Sequence, residues 1–227
     1  MKFAFGVLVN DLHRLDMVFR QSEISPETPC HIIKLPETAC KGLNKLLGII
    51  EREGHDVAIL SHQDMFYRSG WLEQVESQLA KLPNSWAVAG VIGKDMNGQI
   101  CGAMHDMRQP LHFKTDHAFP CPASCFDECV IFVNMRSGFR FDEGLPGFDL
   151  YGTLCVLQAQ AMGNTAWIID AFCEHYCMRS FSWIPDEAFQ ASFKWLYEKF
   201  PHARRIDSTV IQYDERENSG GALNKID

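Results

Sequence analysis

The chain has 227 residues, 46% of them hydrophobic and 22% charged, enough for one large domain with a sizeable core and no need of disulfide staples. A formal net charge of −8 and a pI of about 5.6 argue against a duplex nucleic-acid binder, which needs a basic face. They leave room for a nucleotide ligand, because a diphosphate needs only a metal ion and a few donors. The nine cysteines are scattered and odd in number, and several sit inside apolar runs. They read as buried free thiols of a reducing, cytoplasmic compartment. Met1-Lys2 leads into a short strand-like run rather than a secretory leader, and no segment approaches the roughly 18–20 apolar residues of a membrane span.

Phe3 to Val9 is an apolar run ended by Asn10-Asp11, the pattern of a first buried strand. Leu12, Leu15, Val18 and Phe19 recur at helical spacing. His31 to Leu35 reads as a second strand, stopped by Pro36. Thr38 to Gly54 carries Leu43, Leu46, Leu47 and Ile50 on one helical face. Asp56 to Leu60 is a third strand that gives way to Ser61-His62-Gln63-Asp64. Ser69 to Leu82 is an amphipathic helix, and Trp86 to Ile92 a fourth strand. Such β/α alternation predicts an α/β fold of three layers, α/β/α, around a mostly parallel sheet. Its ligand is expected at the carboxyl ends of the strands, where Asn10, Lys34 and His62 to Asp64 fall.

Gly93 to Ser124 shows little periodicity and reads as a long irregular segment of the kind used for function. Cys129 to Val133 reads as a further strand, Phe148 to Met162 as a helix, and Ala166 to Ile169 as a last strand before Glu174-His175. Asp186 to Phe200 is an amphipathic helix. Trp183 and the aromatics of that helix either cover an acceptor, meet a partner or, the blander reading, pack in the core. Cys121, Cys125 and Cys129 are spaced by four, unlike a zinc ribbon. No Walker motif, no Gly-x-Gly-x-x-Gly after the first strand and no Gly-x-Ser-x-Gly elbow is present, which disfavours a nucleotide kinase, a dehydrogenase and an α/β hydrolase.

Three motifs in order, SHQDM (Ser61 to Met65), the segment from Phe126 to Gly163 and CEH (Cys173 to His175), give the chain its resemblance to GT-A glycosyltransferases of the family-two-like type. The resemblance covers roughly Phe3 to His175 and implies one catalytic domain over residues 1–206; the polar composition after it reads as a tail over 207–227. It implies a sugar transferred from a nucleoside-diphosphate sugar, UDP-sugar favoured, to a glycan or other hydroxyl acceptor, with inversion. It further implies a divalent metal held by an Asp-x-Asp-like motif and a late histidine. Asp64 and His175 are then the metal candidates. His62 replaces the first Asp of the usual motif and either ligates, favouring Mn²⁺ over Mg²⁺, or touches the ligand. An aspartate at a strand end also serves simply to cap the following turn.

Asn10, Asp11, Lys34, Lys41, Asn44 and Gln63 are the candidates for the nucleotide side under the same resemblance, each also readable as a solvated surface residue. One carboxylate must accept the proton of the acceptor hydroxyl. Asp149 is the candidate, equally readable as the N-cap or first-turn acid of its helix. Asp127 and Glu128 are candidates for the acceptor side. Related sequences with a His-Gln-Asp motif commonly carry an Asp one turn further on, where this chain has Leu154. That departure keeps a second reading open, a catalytically inactive nucleotide-sugar or glycan-binding module. A metal-dependent phosphohydrolase using the same carboxylate is a third.

Overall fold

A computed structural model describes residues 1–106, 112–115, 117–177, 186–203, 206–209, 211–213 and 224–225, with the backbone alone for 112–114, 211–213 and 224–225. Trp183 lies outside the described residues.

In chain order the first half holds β1 (Phe3–Val9), α1 (Leu12–Met17), β2 (Cys30–Lys34), α2 (Ala39–Arg52), β3 (Val57–Ser61), β4 (Met65–Phe66), α3 (Trp71–Leu79) and β5 (Trp86–Gly90). Then follow β6 (Ile92–Asp95), β7 (Ile100–Asp106), β8 (His112–Lys114), β9 (Cys121–Phe126), β10 (Val130–Asn134), α4 (Tyr151–Ala161), β11 (Thr165–Ile168), β12 (Cys173–His175) and α5 (Glu187–Lys199). Three short strands end the described chain: β13 (Ile206–Asp207), β14 (Ile211–Tyr213) and β15 (Asn224–Lys225).

One twelve-stranded sheet runs in the order β2-β1-β3-β10-β5-β11-β9-β6-β7-β12-β4, with β8 paired to β7. Its strands alternate faces, as the period of two requires. Ala4, Ala58, Leu60, Ile131 and Val133 join a core with Leu43, Leu46 and Leu47 of α2, Leu154 of α4 and Phe189 of α5. Phe5, Val7, Ile59, Val130 and Phe132 join a core with Leu15 of α1 and Trp71, Val75 and Leu79 of α3. The three-layer α/β/α architecture expected from the sequence is therefore the observed one. Leu46, Leu47 and Ile50 are wholly buried. Each contributes about 1.5–3 kcal/mol by leaving water, so α2 is held by its apolar stripe rather than by propensity.

The sheet is mixed rather than mostly parallel. β2, β1 and β3 run parallel, as do β5 with β11 and β7 with β12. β10 instead enters antiparallel between β3 and β5. The expected fourth strand divides at Val91 into β5 and β6, which have different neighbours. The segment 93–124 is not an irregular loop: β6, β7, β8 and β9 pair antiparallel through short connections. Its inward positions are filled by small residues such as Cys101, Ala103, Cys121, Ala123 and Cys125. The hydrophobic period that marks a strand is weak there because those side chains are small. All nine cysteines are free, and seven are buried.

The expected polar tail over 207–227 carries secondary structure. β13, β14 and β15 form a small antiparallel sheet. Thr153 Oγ1 donates to the Asp207 carbonyl at 2.7 Å, which ties this segment to α4. No helix among the described residues is long and apolar enough to cross a membrane.

Candidate functional site

β1 and β3 both stop at the same edge, and their last residues are tied across it. Gln63 Oε1 accepts from the backbone N–H groups of Asn10 (3.1 Å) and Asp11 (3.0 Å), and Gln63 Nε2 donates to Asn10 Oδ1 at 2.5 Å. This clasp fixes the turn that carries His62 and Asp64. His62 N donates to the Cys129 carbonyl and Tyr176 N to the Asp64 carbonyl, so neighbouring strands hold the turn from both sides. The parallel pairing of β12 with β7 brings His175 to the same edge.

His62, Asp64 and His175 converge, with one ligand atom from each lying within 4.8 Å of the others. His175 Nε2 is 3.4 Å from Asp64 Oδ1, its Nδ1 is 3.4 Å from Asp106 Oδ2, and Arg14 Nη1 is 3.6 Å from Asp64 Oδ2. Burial by itself would raise the Asp64 carboxyl, but the His175 hydrogen bond and the charges of His175, His62 and Arg14 hold it down at about 2. Burial would lower the His175 imidazole, yet Asp106 and Asp64 raise it to about 10. The site is thus built for positive charge between carboxylates.

His62, Asp64, His175 and Arg14 line a cleft of about 610 Å³, with Asn10, Gln63, Asp127, Glu128, Asp149 and Tyr151 also on its wall. Glu128 occupies the start of α4. Leu150, the N-cap residue, has a left-handed φ of 66° and no side-chain cap. In its place Glu128 Oε1 accepts from Gly152 N at 3.3 Å. Only glycine permits this approach, since a Cβ at 152 would lie 2.4 Å from the Phe126 carbonyl oxygen and 3.1 Å from Glu128 Cγ. Burial first, then the charges of Asp127 and Asp149, push the Glu128 carboxyl well above its usual range, against the pull of the Gly152 and Leu150 N–H groups. Asp127 accepts from Cys129 N and from Thr209 Oγ1, both at 3.1 Å.

The expected residues divide into two groups. His62, Asp64, His175, Asn10, Gln63, Glu128 and Asp149 meet at one cleft. Asp11, Lys34, Lys41 and Asn44 are not on its wall. Asp11 caps α1 by accepting from Arg14 N. Lys34 is exposed at the end of β2. Lys41 Nζ donates to Glu37 at 2.6 Å. Asn44 clasps residues 141–143, donating to the Phe141 carbonyl and to Glu143 while accepting from Phe141 N. Asp149 is neither N-cap nor first-turn acid, because α4 begins two residues later and carries no acid in its first turn. Leu154 is wholly buried in the core, away from the cleft wall.

Sequence reading missed Arg14, Asp106, Tyr151, Ser208 and Thr209. Arg14 had a signal, a cation one turn after the first strand end. Asp106 had none, because β7 lacks a strand pattern, and Ser208 and Thr209 lie in a polar stretch that reads as a tail.

No family model matches the sequence, and no curated protein is similar to it. Among solved structures the fold is similar to that of GalNAc-T7 with UDP, GalNAc and Mn²⁺, with a TM-score of 0.60, 9% identity, and 87% of this chain and 48% of that chain covered. The chain thus spans about half the length of that protein. It is also similar to S. aureus TarS 1–349 in complex with UDP-GlcNAc, with a TM-score of 0.50, 10% identity, and 90% and 74% of the two chains covered. At such identities the likeness concerns the fold, and that fold is GT-A-like.

Proposed function

We propose that this protein is a metal-dependent glycosyltransferase that moves a sugar from a nucleoside-diphosphate sugar, a UDP-sugar first, to a hydroxyl acceptor with inversion. One observation carries the reading: His62, Asp64 and His175 converge at the strand-end edge of a GT-A-like sheet, in one cleft with Asp127, Glu128 and Asp149. The solved structures with UDP, GalNAc and Mn²⁺ and with UDP-GlcNAc support the donor class by analogy of fold.

The donor set suits a divalent cation. The three ligand atoms lie within 4.8 Å of one another, close enough for small side-chain adjustments to bring them to one ion. Two imidazoles and one carboxylate favour Mn²⁺ over Mg²⁺, which prefers oxygen. His62, Asp64 and His175 would hold that ion, which supplies charge neutralisation for a diphosphate leaving group.

The chain's own residues do the rest. Arg14, beside Asp64 on the same wall, offers a guanidinium to a phosphate oxygen. Gln63 and Asn10, already clasped, give the nucleotide side a rigid edge. Asp149 takes the proton of the acceptor hydroxyl as the oxygen–carbon bond to the sugar forms and the sugar–diphosphate bond breaks. Glu128, pushed upward by burial and by its acidic neighbours, is the poorer proton acceptor of the two.

The test is a thermal-shift panel of nucleotide sugars with and without Mn²⁺, followed by a hydrolysis and transfer assay. A UDP-sugar with Mn²⁺ should raise Tm, and Asp64→Ala should abolish the metal-dependent part. An unchanged increment in Asp64→Ala refutes the assignment. Binding without turnover supports the inactive-module reading.

A further inference from the structure

We propose that Tyr151 and Asp106 are positioning residues that select which nitrogen each histidine presents to the cation: Nδ1 from His62 and Nε2 from His175. This rests on the reading that His62, Asp64 and His175 form one cation site.

Hydrogen-bond accounting fixes the first half. His62 Nε2 lies 2.9 Å from Tyr151 Oη, and Tyr151 Oη donates to the Glu128 carbonyl at 3.1 Å. A carbonyl cannot donate, so the single phenolic proton belongs to that contact. Tyr151 must then accept from His62, which puts the imidazole proton on Nε2. A neutral ring protonated at Nε2 carries its lone pair on Nδ1. The chain of donors runs His62 Nε2–H to Tyr151 O–H to the Glu128 carbonyl. Tyr151 is only 6% exposed, so water is a poor substitute for either partner.

The second half has the opposite polarity. His175 points Nε2 at Asp64 and Nδ1 at Asp106 Oδ2, each at 3.4 Å. His175 Nδ1 is buried and has no aligned hydrogen-bond partner among the described residues. Asp106 is itself 3% exposed, so this face of the ring is turned into protein rather than water. A small rotation that aligns Nδ1–H with Asp106 leaves the Nε2 lone pair toward Asp64. Carboxylates and carbonyls behind ligating histidines orient the ring in this way and typically contribute 10–100-fold to metal affinity.

The two rings are 5.9 Å apart and inclined by 56°, so they approach the shared region from different directions. Tyr151 belongs to the first turn of α4, whose start is held by Glu128. The nitrogen offered by His62 is therefore set by the same segment that lines the acidic wall of the cleft.

The experiment uses the full chain, isotope-labelled on histidine nitrogen and loaded with NMR-active cadmium. Scalar coupling to cadmium is expected at His62 Nδ1 and His175 Nε2. Coupling at His62 Nε2 or His175 Nδ1 overturns the proposal, as does a metal-free His62 that carries its proton on Nδ1. In parallel, Co²⁺ titrations followed by visible absorption should show binding about 10–100-fold weaker for Tyr151→Phe and Asp106→Asn, with circular dichroism and Tm recorded as folding controls. Should wild-type and both variants bind Co²⁺ alike, the positioning claim fails while the cation site stands. Should wild-type bind neither Cd²⁺, Co²⁺ nor Mn²⁺, the proposed metal-dependent function fails, and this inference with it.

Discussion

His175 Nε2 lies 3.4 Å from Asp64 Oδ1, joining the end of β12 to the turn after β3. The pair has a definite pH signature in chelator-treated protein. His175 is raised from 6.5 to about 10 in the fold. A raised folded value binds more protons than the unfolded chain, so its contribution is full below about pH 6.5 and lost as pH rises toward 10. Asp64 is depressed from 3.8 to about 2, so its contribution is present above about pH 4 and lost as pH falls toward 2. Metal-free Tm should therefore decline between pH 6.5 and 10, and His175→Gln should flatten that limb. An equally steep decline in the variant would place its origin elsewhere.

The same raised imidazole must release its proton before it can ligate. Metal affinity should accordingly rise about tenfold per pH unit from about pH 7 to 9, with one proton released per ion. Isothermal titration in two buffers of different ionisation enthalpy counts that proton. A pH-independent affinity across this range would mean that His175 is not a ligand.

Asn44 separates sequence expectation from structural placement. It was a candidate for the nucleotide side, yet its amide makes three hydrogen bonds to residues 141–143 and is absent from the cleft wall. Asn44→Ala should cost about 1–3 kcal/mol of stability by leaving the Phe141 backbone groups unpaired. The Tm increment produced by UDP with Mn²⁺ should be unchanged. A lost increment at constant basal stability would return Asn44 to the nucleotide side.

Much of the architecture was legible because it rests on large apolar side chains at clear spacing. β1, β3 and α2 announce themselves through Phe5, Val7, Ile59, Leu43, Leu46 and Ile50. The strand-end rule then placed His62, Gln63 and Asp64 at the carboxyl edge of the sheet, where His175 lies beside His62 and Asp64. What was not legible depends on weaker local signals. β7 and β9 build their inward faces from Cys, Ala and Gly, so Asp106 sat in a stretch without a readable period. Strand direction was lost for a related reason: β10 is an apolar run of the same kind in either orientation, and its antiparallel entry follows from tertiary pairing with β3 and β5. The local sequence offers Asp149 as the acid at the start of α4, whereas the group that accepts from the first turn is Glu128 on a different segment.

Two glycines give predictions of opposite sign. Gly48 lies inside α2, where an added Cβ would meet only Arg52 Nη1 at 3.6 Å, an ordinary contact. Gly48→Ala should stabilise the protein by about 0.5–1 kcal/mol, because glycine in a helix interior costs backbone entropy. Gly152 also lies in a helix, but its Cβ would sit 2.4 Å from a backbone oxygen at Phe126 and 3.1 Å from Glu128 Cγ. The backbone oxygen cannot yield without moving β9, so Gly152→Ala should destabilise by about 1–3 kcal/mol through overpacking. It should also displace Glu128 from the Gly152 N–H and alter the acidic wall, lowering transfer more than donor binding. Denaturant titration of both variants, with kcat and KM for the donor, checks the pair. If Gly152→Ala gains stability as Gly48→Ala does, then α4 does not approach the 126–128 segment closely, and the overpacking assignment is wrong.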